Sequence, residues 1–236
     1  MGRLALIAGQ ALLEDELEGA ARLEAKGEAG TVALLESEHA IVLQRHGLDR
    51  YRPPHLIDHR ANLAALAEVG SDRALAICSV GGLREELGVG TVLAPDDFIA
   101  LHLGLSSFDD RRGHRVPGFD PEWRRRVLDA WGDAAAEPPI DGGTYWQAIG
   151  PRFETPAEIR LIAAHADVIG MTMASECVLA GELGIAYAAI CVVDNLANGV
   201  GAAPLTLAEF EAGRLSNREQ IEAALRGVLP RLGGAS

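Results

Sequence analysis

The sequence predicts an α/β fold in which a mixed, twisted β-sheet is flanked by helices. Strand-like apolar runs alternate with helix-like patterns along the chain, which favours a largely parallel or mixed sheet with right-handed crossovers. The segment 185–193, IAYAAICVV, is apolar throughout, as expected for a strand covered on both faces. The chain has 236 residues, of which 48% are hydrophobic. We therefore expect one domain spanning 1–236 with a substantial core.

Strand signals dominate the first hundred residues. An opening strand is predicted at 4–9, and a strand pair at 31–37 and 39–47. The pattern RANLAALAEVG has helical spacing and reaches Gly70, a typical helix stop. Two further strands are predicted at 73–82 and 90–101.

Helices become more frequent in the second half of the chain. Residues 102–118 are polar and irregular and predict a loop. In the run Thr155-Pro156-Ala157-Glu158, an N-cap threonine precedes a proline at the first helical position and a glutamate at the third, which predicts a helix start. Helices are predicted at 121–134, 157–166, 175–184 and 217–229, and strands at 144–150, 167–172 and 185–193.

Charge and cysteine content exclude several classes of function. The net charge of −13 argues against nucleic acid or an anionic membrane as a partner, because phosphate backbones require a basic surface. Cys78, Cys177 and Cys191 have apolar neighbours and no metal-ligand spacing, so we expect buried, reduced thiols and no metal site. The N-terminus lacks the apolar core of a signal peptide, and no apolar run reaches the ~18 residues of a membrane span. The protein is expected to be cytoplasmic.

Polar residues cluster where the predicted strands end. In open sheets with parallel strands, ligands bind at the carboxyl ends of the strands. Candidate ligand-binding residues can therefore be read from the strand ends alone. They are Arg45 and His46, Cys78 and Ser79, Phe153 and Glu154, Met171 and Thr172, and Asp194 and Asn195.

Three of these side chains suit a purine. Glu154 directly precedes the predicted N-cap, and the positive helix end is expected to keep its carboxylate ionised, which makes it an acceptor only. Phe153 offers a face for stacking. Asn195 offers a donor and an acceptor together. Glu154 and Asn195 thus match the edge of a 6-oxopurine, and Phe153 matches its face. The alternatives are a surface acid beside a core phenylalanine, and a turn asparagine in DNLANG.

A second group suits an anion and a sugar. Arg45 and His46 close a strand-like run in a strongly acidic chain, and arginine forks onto phosphate oxygens. Thr172 adds a hydroxyl and Met171 an apolar floor for a sugar. The alternatives are ordinary loop residues at Arg45-His46 and core residues at Met171-Thr172. The sequence contains no P-loop, nucleophilic triad or zinc spacing.

Three segments resemble the trimeric purine nucleoside phosphorylase and methylthioadenosine phosphorylase superfamily. GTYWQAIGPRFETPAEIRLIAAHADVIGMTMASECVLAGELGIAYAAICVV is similar to its signature block. QRHG with HRANLAALAEVG is similar to its phosphate segment, and SVGGLREELGVGTVLAPDDFI to its second glycine-rich segment. The resemblance covers about residues 41–200. It implies a phosphorylase/hydrolase-like fold, a homo-oligomer (a trimer or a dimer of trimers), and no cofactor other than phosphate as co-substrate.

The resemblance implies a set of phosphate ligands, and this sequence differs from the family pattern in two of the segments that supply them. The family's first loop, Gly-Gly-Ser/Thr-Gly, is Ala8-Gly9-Gln10-Ala11 here, so Gln10 replaces the small hydroxyl and Ala11 replaces a glycine. The usual threonine of the second segment falls on Cys78, with Ser79 beside it. Each lost donor to a charged oxygen costs about 1.5–3 kcal/mol. The implied phosphate ligands are Gln10, Arg45, His46, Cys78, Ser79 and Thr172.

On the nucleoside side, the resemblance assigns base contacts to Phe153 and Glu154. Asn195 stands where members that act on 6-oxopurines carry asparagine, whereas a one-residue shift would place Asp194 there and favour 6-aminopurines. Met171 corresponds to the ribose contact, and Ser79 also borders the nucleoside. The residues implied at the 5′ end of the sugar are Tyr145 and His114, the latter from a neighbouring subunit.

These expectations converge on a pentosyltransferase. The predicted reaction cleaves the N-glycosidic bond of a 6-oxopurine nucleoside with phosphate, giving free base and pentose 1-phosphate; the substrate is inosine, guanosine or a 5′-modified analogue such as methylthioinosine. Catalytic roles fall to Asn195, Glu154 and His46. The alternatives are a methylthioadenosine phosphorylase, a phosphate-independent nucleoside hydrolase, and a non-catalytic purine-binding relative with an altered first loop.

Overall fold

The computed structural model describes residues 2–9, 12–13, 17–27, 30–202 and 205–234. The strands are β1 (Arg3–Ala8), β2 (Ala21–Gly27), β3 (Gly30–Glu36), β4 (Ile41–Gln44), β5 (Ser71–Gly82), β6 (Val92–Ala94), β7 (Asp97–Ile99), β8 (Ile140–Asp141), β9 (Thr144–Gln147), β10 (Val168–Gly170) and β11 (Ala186–Leu196). The α-helices are α1 (His59–Glu68), α2 (Pro121–Ala134), α3 (Pro156–Ile162), α4 (Met173–Glu182) and α5 (Leu207–Gly233), and 3-10 turns lie at Pro54–Leu56 and Arg111–Gly113.

The strands form one mixed sheet centred on β5. Strands β1 and β11 run parallel to β5 on either side of it. At its carboxyl end β5 pairs with β10 in the antiparallel sense, through Val168 with Gly82 and Ile169 with Gly81. Strands β2, β3 and β4 continue the sheet beyond β1, and β9 and β7 continue it beyond β10. The predicted mixed sheet flanked by helices is confirmed.

The core lies on both faces of the sheet. One apolar cluster packs Leu66 of α1 and Leu179 of α4 against the strands, and the other packs Trp131 of α2 and Leu225 of α5. Alternate residues of β11 enter opposite clusters because successive strand side chains point to opposite faces. Tyr187, Ala189, Cys191 and Val193 join the first cluster, and Ala188, Ile190 and Val192 the second. This explains why the sequence of β11 is apolar at every position up to Val193.

The predicted helix start at Thr155 is confirmed. The Thr155 hydroxyl accepts from the Glu158 backbone N–H, and the Glu158 carboxylate accepts from the Thr155 backbone N–H. Arg152, for which the sequence suggests no role, forms two hydrogen bonds to the same Glu158 carboxylate at 2.8 and 2.9 Å. These contacts anchor the segment that carries Phe153 and Glu154.

Several boundaries differ from the sequence-based expectation. The strand predicted at 90–101 is two strands, β6 and β7, because Pro95 lies between them and has no N–H for a ladder. The last helix begins at Leu207, well before its predicted start, where Thr206 and Glu209 form a second capping box. Strand β2 was not predicted at all.

The three cysteines are free, buried thiols, as predicted. Within the described ranges, no helix has both the length and the apolar character needed to cross a bilayer. The same residues contain no group of three or more His, Cys, Asp or Glu side chains placed to hold a metal ion.

Candidate active site

A cavity of about 660 Å³ opens at the carboxyl ends of β4, β5, β10 and β11. The antiparallel pairing of β10 with the end of β5 brings the residues after Gly170 beside Ser79, which is why segments distant in sequence meet there. The cavity lining includes nine residues that the sequence predicted: Arg45, His46, Ser79, Phe153, Glu154, Met171, Thr172, Asp194 and Asn195.

Arg45 lies at the cavity wall but is mostly committed to protein partners. Its Nε and Nη2 donate to the two carboxylate oxygens of Glu176 at 2.6 and 3.1 Å. Nη1 donates to Ile77 O at 2.7 Å, and Nη2 lies 3.6 Å from the Cys78 sulfur. A guanidinium has five N–H donors. The paired N–H groups that were expected to bind phosphate therefore bind the Glu176 carboxylate. One Nη1 hydrogen remains available for an anion.

Glu176, which holds this arginine, is not among the residues predicted from the sequence. The side chain is 1% exposed and also accepts from the Tyr187 hydroxyl at 2.9 Å. The Arg45–Glu176 attraction outweighs the cost of burial for the guanidinium and raises the pKa of Arg45 above its ordinary value. A carboxylate inside the otherwise apolar helix SECVLAG was the available signal, because a buried acid requires a partner.

His46 lies beside Arg45 with a defined ring orientation. Its Nδ1 is 2.8 Å from the Arg52 carbonyl oxygen, and its ring stacks on Tyr51 with centroids 5.2 Å apart. Because a carbonyl only accepts, Nδ1 carries the hydrogen and Nε2 is the open acceptor of the neutral ring. Burial lowers the pKa of His46 below its ordinary value.

Phe153 and Glu154 also line the cavity. The Phe153 ring lies 5.9 Å from the ring of Phe210 on α5 at a tilt of 57°. The Glu154 backbone is fixed by Asn198, whose amide donates to the Glu154 carbonyl at 2.9 Å. Burial raises the pKa of the Glu154 carboxyl above its ordinary value. Burial is the dominant influence on this pKa, and the ionised state expected from the positive helix end stays a prediction.

Asp194 and Asn195 both line the cavity although they are adjacent in a strand. The pairing of β11 with β5 shifts register between Val193 and Asn195, and this bulge leaves Asp194 without a partner residue. Asn195 donates one amide hydrogen to Leu196 O at 2.9 Å. Asp194 is bonded by Ser79 and Asn217, and burial raises the pKa of its carboxyl.

Three predicted residues lie away from the cavity lining. Cys78 is 2% exposed, in the core, where its sulfur touches Arg45. Tyr145 is fully buried, and its hydroxyl accepts from the backbone N–H groups of Thr172 and Met173 at 3.2 and 3.4 Å. His114 is exposed in the loop after β7. Neither Cys78 nor Tyr145 offers a ligand atom to the cavity. Gln10, the remaining predicted residue, lies outside the described residues.

Helix α5 supplies cavity residues that sequence reasoning missed. These cavity residues are Phe210, Arg214 and Asn217. The helix was predicted to begin at Asn217 but begins at Leu207, so the first two fell outside the predicted helix. The charge of Arg214 acts on both His46 and Asp194. The signal that could have found them was the second capping box, because it extends the helix back to the cavity.

The family model described as the phosphorylase superfamily matches residues 2–230 of this chain. A relative from Archaeoglobus fulgidus, named as a probable 6-oxopurine nucleoside phosphorylase, is 41% identical over 67% of this chain and 65% of its own length. The chain thus spans slightly less than two thirds of that relative. A relative from Xanthomonas campestris pv. campestris, named as a probable S-methyl-5′-thioinosine phosphorylase, is 37% identical over 86% of this chain and 81% of its own length.

Among solved structures, the fold is similar to that of methylthioadenosine phosphorylase from Schistosoma mansoni in complex with adenine. The TM-score is 0.85 at 20% identity, with 100% of this chain and 93% of that chain covered. This likeness confirms the expected phosphorylase-type fold. The match over nearly the whole sequence, together with the strand-end cavity, places this chain in the phosphorylase superfamily.

Proposed function

We propose that the protein is a purine nucleoside phosphorylase that cleaves a 6-oxopurine nucleoside with phosphate. The observation that carries the proposal is the meeting of two chemically different groups in one cavity. Glu154, Phe153 and Asn195 suit the base, and Arg45, His46 and Thr172 suit the anion. The name of the Archaeoglobus relative supports the same substrate class.

The base end recognises the purine through complementary donors and acceptors. Glu154 accepts from N1–H, and Phe153 stacks on the ring. Asn195 has one amide hydrogen left for O6 after its bond to Leu196 O. Its carbonyl oxygen accepts from N7–H. Because N7 takes up a proton from solvent water as the base departs with the bonding electron pair, this last contact strengthens toward the transition state and favours catalysis over mere binding.

The anion end positions phosphate for attack on C1′ of the sugar. The C1′–N9 bond breaks, its electron pair enters the purine, and a phosphate oxygen bonds to C1′, so the transition state has oxocarbenium character. The remaining Nη1 hydrogen of Arg45 supplies charge, and Thr172 supplies a hydroxyl. Neutral His46 accepts the O–H of hydrogen phosphate at Nε2 and leaves the attacking oxygen unprotonated. No metal or organic cofactor enters this scheme.

A 5′-modified 6-oxopurine nucleoside such as methylthioinosine is the second candidate substrate. The observation that favours it is the apolar portion of the wall formed by Leu205 and the N-terminal part of α5. This portion consists of Leu205, Leu207, Phe210 and Leu215. The name of the Xanthomonas relative supports this substrate.

The remaining proposals concern the context of the enzyme. We infer a single catalytic domain, a cytoplasmic location and a homo-oligomer, either a trimer or a dimer of trimers, in which His114 approaches the sugar 5′ end of a neighbouring subunit. The exposure of His114 in the loop after β7 is compatible with this role. Its test is the oligomeric state of the full chain by light scattering, followed by the effect of His114→Ala on the KM for the nucleoside.

One experiment tests the main proposal. Inosine, guanosine, adenosine and methylthioinosine are incubated with the protein, with and without phosphate, and release of free base is followed. Phosphate-dependent cleavage of the 6-oxopurine nucleosides is the expected result. Equal cleavage of inosine without phosphate identifies a hydrolase, and binding without any cleavage identifies a non-catalytic relative; either outcome overturns the proposal.

A further inference from the structure

The bulge in β11 places two side chains of different chemistry at the base end of the cavity. Successive residues of a regular strand point to opposite faces, but Asp194 and Asn195 both line the cavity. A carboxylate only accepts hydrogen bonds, which suits the 6-amino group of a purine. An amide also donates, which suits a 6-oxo group. Which of the two side chains faces the ligand therefore decides the base preference.

Asp194 is already occupied on both carboxylate oxygens. The Ser79 hydroxyl donates to Oδ2, and Asn217 Nδ2 donates to Oδ1 at 2.8 Å. The same Asn217 nitrogen donates to Val193 O at 3.0 Å. Asp194 and Asn217 are 4% and 6% exposed, so water competes little for these bonds.

The packing of α5 fixes Asn217 at this position. A Cβ on Gly213 would lie 1.7 Å from the Asp194 carbonyl oxygen, so the helix rests directly on the strand backbone at that residue. Asn217 follows Gly213 by four residues and lies on the same helix face. The absence of a side chain at Gly213 thus brings Asn217 within reach of the Asp194 carboxylate.

Asn195 remains available by contrast. One amide hydrogen bonds the neighbouring Leu196 carbonyl at 2.9 Å. Within the described part of the chain, Asn195 Oδ1 meets no donor, so the carbonyl and the second amide hydrogen are open to a ligand. The cavity therefore presents an amide and withholds a carboxylate.

We propose that Asn217 and Ser79 set the base specificity of this site by holding Asp194 as an occupied acceptor, so that Asn195 reads the base as a 6-oxopurine. Asn217 acts as a positioning residue in this arrangement. The inference rests on the proposed function. It adds that the choice of base depends on a residue of helix α5 that acts through Asp194.

The test removes the Asn217 donors and measures base preference. The ratio of kcat/KM for inosine to kcat/KM for adenosine, at saturating phosphate, is compared in the wild type, Asn217→Ala and the near-isosteric Asn217→Leu. We expect this ratio to fall by about tenfold or more, because the released carboxylate accepts from the 6-amino group and opposes O6. Ser216→Ala is the matched control, since the Ser216 hydroxyl donates to Gly213 O at 2.8 Å within α5, and this variant should keep the wild-type ratio.

A double variant separates specificity from damage to the fold. In Asp194→Asn with Asn217→Ala the released side chain is an amide, so the preference for inosine should return. Calorimetric titration with hypoxanthine and adenine measures the same preference without turnover. An unchanged ratio in both single variants, or an equal loss for both bases, overturns the inference. Failure of the wild type to cleave any purine nucleoside would instead refute the proposed function.

Discussion

Arg45 and Glu176 form a buried ion pair in which Arg45 Nε lies 2.6 Å from Glu176 Oε1 and neither side chain is more than 3% exposed. The pair joins the end of β4 to helix α4, so it determines where the guanidinium lies relative to the cavity. A buried pair adds little net stability compared with an apolar pair, but removing one partner leaves an uncompensated charge. Glu176 thus positions Arg45 from outside the cavity lining.

Glu176→Gln should therefore lower the free energy of unfolding by about 3 kcal/mol or more, because it leaves the Arg45 charge buried without its counter-charge. Chemical denaturation of the purified variant measures the change. Asp49→Asn is the control: Asp49 also pairs with an arginine, Arg22, at 2.6 Å, but both side chains are exposed, so its denaturation midpoint should stay near the wild type. Equal midpoints for Glu176→Gln and the wild type would contradict the role of the pair.

Tyr187→Phe removes one hydrogen bond to the same carboxylate. The Tyr187 hydroxyl donates to Glu176 Oε2 at 2.9 Å, and its loss should lower the free energy of unfolding by about 1–2 kcal/mol, less than the loss of the ion pair. The two variants compared in one denaturation series give the order of effects. A larger effect for Tyr187→Phe than for Glu176→Gln would reverse the assignment of the main partner.

Gly170→Ala should disturb the entry to α4. A Cβ at Gly170 would lie 2.4 Å from the Tyr145 hydroxyl oxygen, which accepts from Thr172 N and Met173 N. Overpacking of this kind costs about 1–3 kcal/mol, and the displaced Tyr145 would release the backbone that orients Thr172. We expect a lower thermal midpoint together with a higher KM for phosphate. Gly181→Ala, where a Cβ meets no neighbouring atom within 4 Å, is the matched control.

Ionisation of Glu154 should control the fall of kcat/KM at low pH. Its pKa is raised by burial above the ordinary 4.5, and acceptance from N1–H requires the ionised form. The kcat/KM for inosine should therefore fall as the pH drops through this raised pKa, and Glu154→Gln should lower kcat/KM by about tenfold or more and remove that fall. A pH profile of both proteins checks this. A fall at low pH that persists in Glu154→Gln belongs to another group.

The same pKa shift has a consequence for stability. Because the folded state holds the Glu154 proton more tightly than the unfolded state, this group's contribution to stability is present below pH 4.5 and is lost as the pH rises through the raised folded value. Glu154→Gln should therefore have a higher thermal midpoint than the wild type at neutral pH. Scanning calorimetry at neutral pH and near pH 4 should find the difference only at the higher pH.

Asn195→Asp should shift base preference toward adenosine. The substitution replaces the donor to O6 by a carboxylate, which accepts from a 6-amino group. We expect the inosine-to-adenosine ratio of kcat/KM to fall by about tenfold or more, since a mismatched buried polar group costs its desolvation. Base release followed spectrophotometrically measures it. An unchanged preference would remove Asn195 from base recognition.

Most strands of the sheet and nine of the residues that line the cavity follow from the sequence. Apolar runs, a capping box at Thr155 and polar residues at strand ends depend on local chemistry, so Arg45, His46, Glu154 and Asn195 could be selected without coordinates. The same local rules failed where a signal was interrupted or overlooked, as at Pro95, in β2 and at the start of α5.

The tertiary structure alone decided which groups face the ligand. Glu176 was found beneath Arg45, and the bulge was found to bring Asp194 and Asn195 to one side, because both depend on contacts between segments far apart in sequence. The burial that raises the pKa of Glu154 depends in the same way on the surrounding atoms. Residue type limits the chemistry that a side chain can perform, and packing decides which of its atoms remain available for that chemistry.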